Sequence, residues 1–175
     1  MSLETPSTGV AARLAPRDPA THLRLAAPAD EPFLRDLYKS SRAGEFAATG
    51  LPPAAIEPLL DQQYRAQAAG YAAQFPGAVA LIILYRDAPV GRLILEAADL
   101  SWRIVDLALL DAMRGQGIGS DIIEAVGRAA STHGARELCL AVLSGNAAAR
   151  RLYERLGFAI SGDDGVRIAM VRPLP

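Results

Sequence analysis

Apolar residues recur along the chain at two spacings, one typical of strands and one typical of helices. Alternating or continuous apolar runs predict strands at 22–27, 78–85, 90–96, 102–110, 137–143 and 166–171. Helical spacing predicts helices over 30–44, 55–74, 119–133 and 147–156. The chain has no internal repeat, so this mixture of elements predicts one mixed α+β domain.

The first 20 residues have a different character. Pro6, Pro16 and Pro19 stand among small and polar residues without apolar periodicity. Such a segment is typical of a flexible leader, so we expect residues 1–20 to be mobile and residues 21–175 to form the domain. The 175 residues of the chain suit a single hydrophobic core, since one domain usually holds roughly 100–200 residues.

Composition narrows the class of protein. The formal net charge is −1 and 21% of the residues are charged, so nucleic acid is not expected as a partner. The longest apolar run, 78–85, is too short for a membrane span, which needs roughly 20 residues. Cys139 is the only cysteine, and no signal-peptide pattern opens the sequence. We therefore expect a cytoplasmic protein without a disulfide or a membrane partner.

The available residues disfavour several kinds of catalytic site. His22 and His133 lie far from each other and from Cys139, so the ligand spacing of a zinc site is missing. Lys39, the only lysine, follows Tyr38 rather than the glycine of a phosphate-binding loop. Cys139 stands in an alternating apolar run, where a structural thiol is favoured over a nucleophile. We expect neither a metal nor covalent catalysis.

A glycine-rich turn is the first feature that indicates a ligand. Residues 114–119 read Arg-Gly-Gln-Gly-Ile-Gly between an apolar strand and an amphipathic helix. Glycines let the backbone approach a ligand, and a helix start offers unpaired N–H groups at a positive dipole end. The turn predicts a pyrophosphate site, although Asp121 in the first helical turn is expected to repel phosphate. The glycine spacing does not match a dinucleotide motif, and a structural turn without ligand is the alternative.

Two further motifs complete a resemblance. Asn146, Ala149 and Tyr153 form an N-x-x-A-x-x-x-Y run, and residues 156–158 read Leu-Gly-Phe. With R-x-x-G-x-G at 114–119, their order and spacing resemble the GNAT superfamily of acyl-coenzyme A dependent N-acetyltransferases. The resemblance covers 79–171. It implies a twisted, mostly antiparallel sheet of six to seven strands flanked by about four helices, with acetyl-coenzyme A (acetyl-CoA) as co-substrate.

The resemblance assigns roles along the cofactor. It implies that backbone N–H groups of the turn hold the pyrophosphate, and that the end of the strand before the turn pairs with the pantetheine arm in a gap opened by a bulge. A proline frequent after that strand in the family is replaced by Asp111. The implied cofactor-binding residues are Leu107, Leu109, Arg114, Gly115, Gln116, Gly117, Ile118, Gly119, Ser120 and Asn146.

Catalytic roles follow from the same resemblance. Tyr153 would protonate the departing thiolate, since a phenol with an ordinary pKa of about 10 is protonated at neutral pH. A main-chain N–H near Leu109 would polarise the thioester carbonyl. Two of the residues named above also have a structural alternative. Asn146, implied to bind the cofactor, also suits a helix N-cap, and Tyr153 falls on an apolar helix face.

The general base is less clearly indicated. Asp106, set in an apolar strand, is the first choice, and Glu96 at the end of the preceding strand is the second. A water relay or no enzyme base is also compatible with the sequence. A structural role for Asp106, an ion pair with Arg92 or Arg103, is as well supported by the sequence as its role as general base.

The acceptor is expected to lie over the helical region 30–74. Residues there or nearby that offer charged, amide or aromatic groups, and that could equally be surface groups, are Arg42, Glu45, Gln63, Gln67, Tyr71 and Glu96. The predicted function is direct transfer of an acetyl group from acetyl-CoA to a primary amine of a small molecule or peptide. The alternative is a non-catalytic acyl-CoA-binding or sensing domain. A homodimer is an expectation from the resemblance alone.

Overall fold

The chain folds into a seven-stranded sheet that carries helices on both faces. A computed structural model describes residues 6–47, 50 and 52–175. The elements follow in the order α1 Pro6–Arg13, β1 Thr21–Leu25, α2 Glu31–Ala47, α3 Pro53–Gln74, β2 Val79–Tyr85, β3 Ala88–Ala97, β4 Ser101–Leu109, α4 Ile118–Thr132, β5 Glu137–Leu143, α5 Ala147–Arg155, β6 Ala159–Asp163 and β7 Arg167–Pro173. None of the described helices combines the length and hydropathy that a bilayer span requires.

The strand order confirms the predicted fold class. The sheet runs β1-β2-β3-β4-β5-β7-β6, and every neighbouring pair is antiparallel except β4 with β5. The hairpin between β2 and β3 turns at Arg86 and Asp87, whose φ angles are 50° and 64°. Two consecutive positive φ angles are typical of the tight turn that matches the twist of a hairpin. The sheet is therefore mostly antiparallel, with one parallel junction at its centre.

Alternate residues of the strands face two different helical layers. Leu81 of β2 and Ile122 of α4 are fully buried in one large core. The next strand residue, Ile82, is paired with Arg92 of β3, and Arg92 donates to Gln67 Oε1 of α3 over 3.3 Å. Because successive strand side chains point to opposite faces, α4 packs on one face and α3 on the other.

The beginning of the chain differs from the expected flexible leader. Residues Pro6–Arg13 form α1, and Val10 and Leu14 are buried in the core formed with α4. Beyond the helix, Arg128 donates to the carbonyl oxygen of Ala15 over 2.7 Å. Residues 6–13 therefore form a helix that the sequence did not predict, because burial of apolar side chains can stabilise a helix whose local propensity is weak. The division into a leader at 1–20 and a domain at 21–175 stays a prediction. Residues 1–5 lie outside the described part.

Two further differences concern boundaries and an edge strand. Helix α2 continues through Gly44 to Ala47, beyond its predicted end. Strand β6, Ala159–Asp163, has all five residues exposed and is absent from the strands that the sequence predicts. An edge strand without a buried face shows no alternation of apolar and polar residues. Its pairing with β7 is therefore what defines its conformation.

Candidate active site

The glycine-rich turn presents the start of α4 to a cleft. Gly115 and Gly117 have φ angles of 74° and 86°, a region that residues with a Cβ rarely adopt. Gly117 is the N-cap of α4, and no side chain caps this end. The first N–H groups of α4 are therefore available to an anion, together with the positive end of the helix dipole.

Two side chains beside the turn have defined partners. The Arg114 guanidinium lies 3.0 Å from Asp111 Oδ1 and donates to the Leu109 carbonyl oxygen over 3.3 Å. Asp121 accepts hydrogen bonds of 2.9 Å from the backbone N–H groups of Arg17 and Asp18. The Asp121 carboxylate is therefore held by the segment after α1, and its negative charge remains in the first turn of α4.

Strand β4 carries a bulge at the centre of the sheet. Ile94 of β3 pairs with Asp106, whereas the next residue, Leu95, pairs with Ile104. Val105 is thus the extra residue of a β-bulge, a feature that bends a strand and redirects its side chains. The predicted bulge is present, and it directly precedes the segment implied to bind the cofactor.

Beyond the bulge, β4 and β5 separate. Their parallel pairing runs from Ser101 opposite Glu137 to Ile104 opposite Leu140, and no later pairing joins them in the described chain. Main-chain donors and acceptors of a strand without a neighbour can pair with an extended ligand that contains amides. The open edge at residues 105–109 therefore has the properties needed to hold such a chain.

Gly91 supports this edge from β3, and sequence reasoning did not identify it. Gly91 pairs with Leu109, and a Cβ at Gly91 would lie 2.6 Å from Leu109 Cδ2 and against the Ala108 carbonyl oxygen. Only a residue without a side chain allows this close packing. The available signal was a glycine inside an apolar strand pattern.

A cleft of about 760 Å³ connects the turn, the open edge and the helices. Among the predicted residues, those that line it are Asp106, Leu107, Leu109, Arg114, Gly115, Gly117, Gly119, Ser120, Asn146, Tyr153, Arg42 and Gln67. Arg92 of β3, predicted as an ion-pair partner of Asp106, also lines it. Lining residues that the sequence did not single out include Tyr38 and Ser41 of α2, and Ala148, Leu152 and Arg155 of α5. The spacing of these α5 residues on one helix face was the signal available for them.

Several predicted residues lie elsewhere. Gln63, Tyr71 and Glu96 do not line the cleft. The side chain of Gln116 donates to the Ala112 carbonyl oxygen over 2.7 Å, and Ile118 is buried in the core. These placements leave the roles predicted for the backbone N–H groups of the turn untested. The side chain of Glu45 lies outside the described residues.

Helix α5 carries the two other motif residues. Asn146 Oδ1 accepts a hydrogen bond of 3.1 Å from the Ala149 N–H, so it caps α5, as the structural alternative predicted. The Tyr153 ring packs edge-on against Phe158 with 5.9 Å between ring centroids. Burial, and secondarily the charge of Asp106, raise the pKa of Tyr153 above its usual value. Its phenol is therefore protonated throughout the neutral pH range.

Asp106 forms the ion pair that was one of its two predicted roles. Arg92 donates two hydrogen bonds, of 2.7 and 3.1 Å, to Asp106 Oδ2. Arg92 is 7% exposed, so the pair is shielded from solvent and the Asp106 carboxylate is held in one orientation. No described side chain bonds Asp106 Oδ1. Arg103, the other predicted partner, instead lies over the Phe75 ring.

The helical wall of the cleft, formed by α2 and α3, has its own small core. Tyr38, Leu60 and Tyr64 are buried together, and the rings of Tyr38 and Tyr64 are 5.7 Å apart. The Tyr64 hydroxyl donates to Glu31 Oε2 over 2.9 Å, and burial with this bond raises the pKa of Tyr64 to about 12. Arg42 lies over the Tyr38 ring at 5.5 Å. This wall is built from side-chain contacts between the two helices.

The donor set of the cleft fits coenzyme A. An uncapped helix N-terminus and Arg114 suit a diphosphate, and the open edge of β4 suits an amide-containing arm. Within the described residues, no group of three or more His, Cys, Asp or Glu side chains is placed to hold a metal ion.

Solved structures share this fold. PaiA N-acetyltransferase from Thermoplasma acidophilum, in complex with coenzyme A, is 16% identical; the match covers 87% of this chain and 98% of that one, with a TM-score of 0.68. An acetyltransferase from Thermus thermophilus is 25% identical over 89% and 97% of the two chains, with a TM-score of 0.66. The ribosomal-protein-S18-alanine N-acetyltransferase from Escherichia coli is 19% identical over 88% and 94%, with a TM-score of 0.62.

Sequence comparison gives the family. No curated protein sequence matches the chain. A model of the acetyltransferase (GNAT) family matches residues 35–158, a range that includes most of α2, all of α3, the glycine-rich turn, the β4–β5 gap and Tyr153. The resemblance inferred from three short motifs is confirmed, and the chain belongs to the acetyltransferase (GNAT) family.

Proposed function

We propose that the protein transfers an acetyl group from acetyl-CoA directly to a primary amine of a small molecule or peptide. One observation carries the proposal: Tyr153 and Asp106 line the same cleft as the open edge of β4 and the uncapped start of α4. A proton donor, a carboxylate and an anion site then meet around one gap. This arrangement supplies the groups that an acyl transfer from a thioester requires.

The chain would bind the cofactor mainly through its backbone. N–H groups of residues 116–120 would hold the diphosphate, with Arg114 adding a positive charge. Main-chain groups of Leu107 and Leu109 would pair with the pantetheine arm along the open edge of β4. The amine would enter from the α2 and α3 side, where Arg42 and Gln67 line the cleft.

Two side chains would manage the protons. Acetyl-CoA supplies an activated acyl carbon, which forms the new C–N bond while the C–S bond breaks and its electron pair passes to sulfur. Asp106 would accept the proton that the amine nitrogen loses, and Tyr153 would give its phenolic proton to sulfur. A main-chain N–H near Leu109 would polarise the carbonyl oxygen. Water returns the proton from Asp106 to Tyr153, which restores both groups.

The test is release of free coenzyme A, measured with a thiol-reactive dye, on incubation with acetyl-CoA and a panel of amines. The panel should contain polyamines, amino acids, aminoglycosides and short peptides with free N-termini. Release that depends on the amine, with an acetylated product detected by mass spectrometry, supports the proposal. Tight binding of acetyl-CoA without amine-dependent release across the panel contradicts it and favours the non-catalytic binding domain.

A further inference from the structure

One cation of the cleft has no part in the proposed chemistry. Arg155 stands in the last turn of α5 and lines the cleft together with Ala148 and Leu152. Positions 148, 152 and 155 are three and four residues apart and so share one helix face. Arg155 follows Tyr153 by two residues, a spacing at which helix side chains do not face each other, so both line the cleft but point in different directions.

The other lining arginines have identifiable contacts. Arg92 is paired with Asp106, and Arg114 is paired with Asp111 beside the glycine-rich turn. Arg42 lies over Tyr38 on the helical wall. For Arg155, by contrast, no ion pair is found within the described residues, and its side chain is exposed. A guanidinium that lines a ligand cleft without a carboxylate partner is free to bind an anion of the ligand.

Coenzyme A carries two separate anionic groups. The diphosphate fits the start of α4, but the 3′-phosphate on the ribose needs a cation outside the turn. We propose that Arg155 binds this 3′-phosphate and thereby makes the enzyme discriminate coenzyme A from 3′-dephospho-coenzyme A. The assignment rests on the proposed function, since it takes acetyl-CoA as the ligand of the cleft. A planar guanidinium matches a phosphate through two parallel N–H bonds.

The matched control is present on the same helix. Arg151 is an exposed arginine of α5 that does not line the cleft. Arg151→Gln and Arg155→Gln remove the same charge from the same element, so both change the general electrostatics of α5 equally. Only Arg155→Gln removes a group from the cleft wall.

The experiment is isothermal titration of the wild type and both variants with coenzyme A and with 3′-dephospho-coenzyme A. The wild type should bind coenzyme A about tenfold or more tightly than the dephospho form, as expected for a charge-assisted contact. Arg155→Gln should bring this ratio close to one by weakening coenzyme A alone, and Arg151→Gln should keep it. Arg155→Lys should retain part of the ratio, because it keeps the charge and loses the paired geometry.

Any of three results would overturn the assignment and leave the proposed function standing. A wild type that does not distinguish the two ligands shows that no residue reads the 3′-phosphate. If the affinity ratio survives in Arg155→Gln, or falls equally in Arg151→Gln, the Arg155 side chain does not bind the 3′-phosphate. If the wild type binds neither ligand, the proposed function fails together with the inference, whereas binding with an unaltered ratio overturns the inference alone.

Discussion

The two sides of the cleft are built on different principles. The cofactor side consists of the end of β4, the glycine-rich turn and α4, and its geometry comes from the backbone: a bulge at Val105, a separation of strands, and a φ of 86° at Gly117. The acceptor side consists of α2 and α3, and its geometry comes from side chains, among them the packed rings of Tyr38 and Tyr64. Substitutions on the two sides should therefore have different effects on the protein.

A backbone site tolerates few residues, because a positive φ or an open strand edge depends on particular positions. A side-chain wall can be repacked with many residues of similar volume. We therefore expect changes on the cofactor side to alter binding or chemistry of the thioester, and changes on the acceptor side to alter amine kinetics or stability.

The largest effect is expected at Tyr153, on α5 in the wall of the cleft. Tyr153→Phe should lower kcat by about 10²–10⁴-fold, the usual contribution of a general acid, because sulfur then leaves without a proton donor. The dissociation constant of acetyl-CoA should stay within about twofold, since the ring and its contact with Phe158 remain. Steady-state kinetics with thiol detection and calorimetric binding measure the two quantities.

Tyr85→Phe is the control for that comparison, since Tyr85 is the last residue of β2 and does not line the cleft. It should keep the wild-type kcat. An unchanged kcat in Tyr153→Phe would remove Tyr153 as the acid and leave it a packing residue of α5.

The next effect is expected at Asp106. Asp106→Asn should lower kcat/KM for the amine by about tenfold to hundredfold at pH 7, with the acetyl-CoA dissociation constant unchanged. The deficit should shrink as pH rises, because more of the amine is then neutral without a base. Activity must be expressed per folded molecule, since the substitution also leaves the buried Arg92 without its partner.

Glu96→Gln is the matched test for the competing base, because Glu96 does not line the cleft. Its kinetics should equal those of the wild type. A pH profile that keeps the same deficit at every pH in Asp106→Asn would mean that Asp106 serves only as the partner of Arg92.

The same contrast explains what could be predicted from the sequence. The turn at 114–119 and the Asn146 to Tyr153 motif were identified because backbone geometry and helix capping demand particular residues at fixed spacing. On the acceptor side, Gln63 and Gln67 were equivalent candidates, and only Gln67 lines the cleft. Which face of an alanine-rich helix meets the sheet depends on tertiary packing, which local pattern does not encode.

The missed elements have the same physical origin. Helix α1 is stabilised by burial of Val10 and Leu14 in the large core, a long-range effect that residues 6–13 do not reveal on their own. Strand β6 is exposed along its whole length, so it depends on the pairing with β7. Neither α1 nor β6 has a local periodicity of apolar residues, so the sequence did not predict them. Every strand with a buried face was predicted.

The backbone side can be tested directly at Gly117. Gly117→Ala should weaken acetyl-CoA binding about tenfold, since a Cβ at positive φ costs roughly 1–2 kcal/mol and displaces the N–H groups at the start of α4. Gly134→Ala is matched to it: Gly134 has a φ of 87° with open space around it, at the other end of the same helix. Gly134→Ala should lower stability but leave the dissociation constant unchanged, and equal weakening in both variants would contradict a local role for Gly117.

The smallest effect is expected on the acceptor side at Asp30, which fixes the start of α2. Arg24 donates two hydrogen bonds of 2.7 Å to the Asp30 carboxylate, and the Ala27 N–H donates a third of 2.8 Å. These contacts lower the pKa of Asp30 to about 2. Asp30→Asn should cost about 1–2 kcal/mol of unfolding free energy at pH 7, a value reduced by solvent screening of the half-exposed Arg24.

The stability that the Asp30 carboxylate contributes depends on pH. A carboxylate with a lowered pKa stabilises the folded state fully above its unfolded-state pKa of about 4, and this contribution disappears as the pH falls toward about 2. Urea unfolding of wild type and Asp30→Asn should therefore differ most at neutral pH and converge below pH 4, with kcat and acetyl-CoA affinity unchanged at pH 7. A difference that does not depend on pH would show that the bonds of Asp30, rather than its charge, secure the acceptor side.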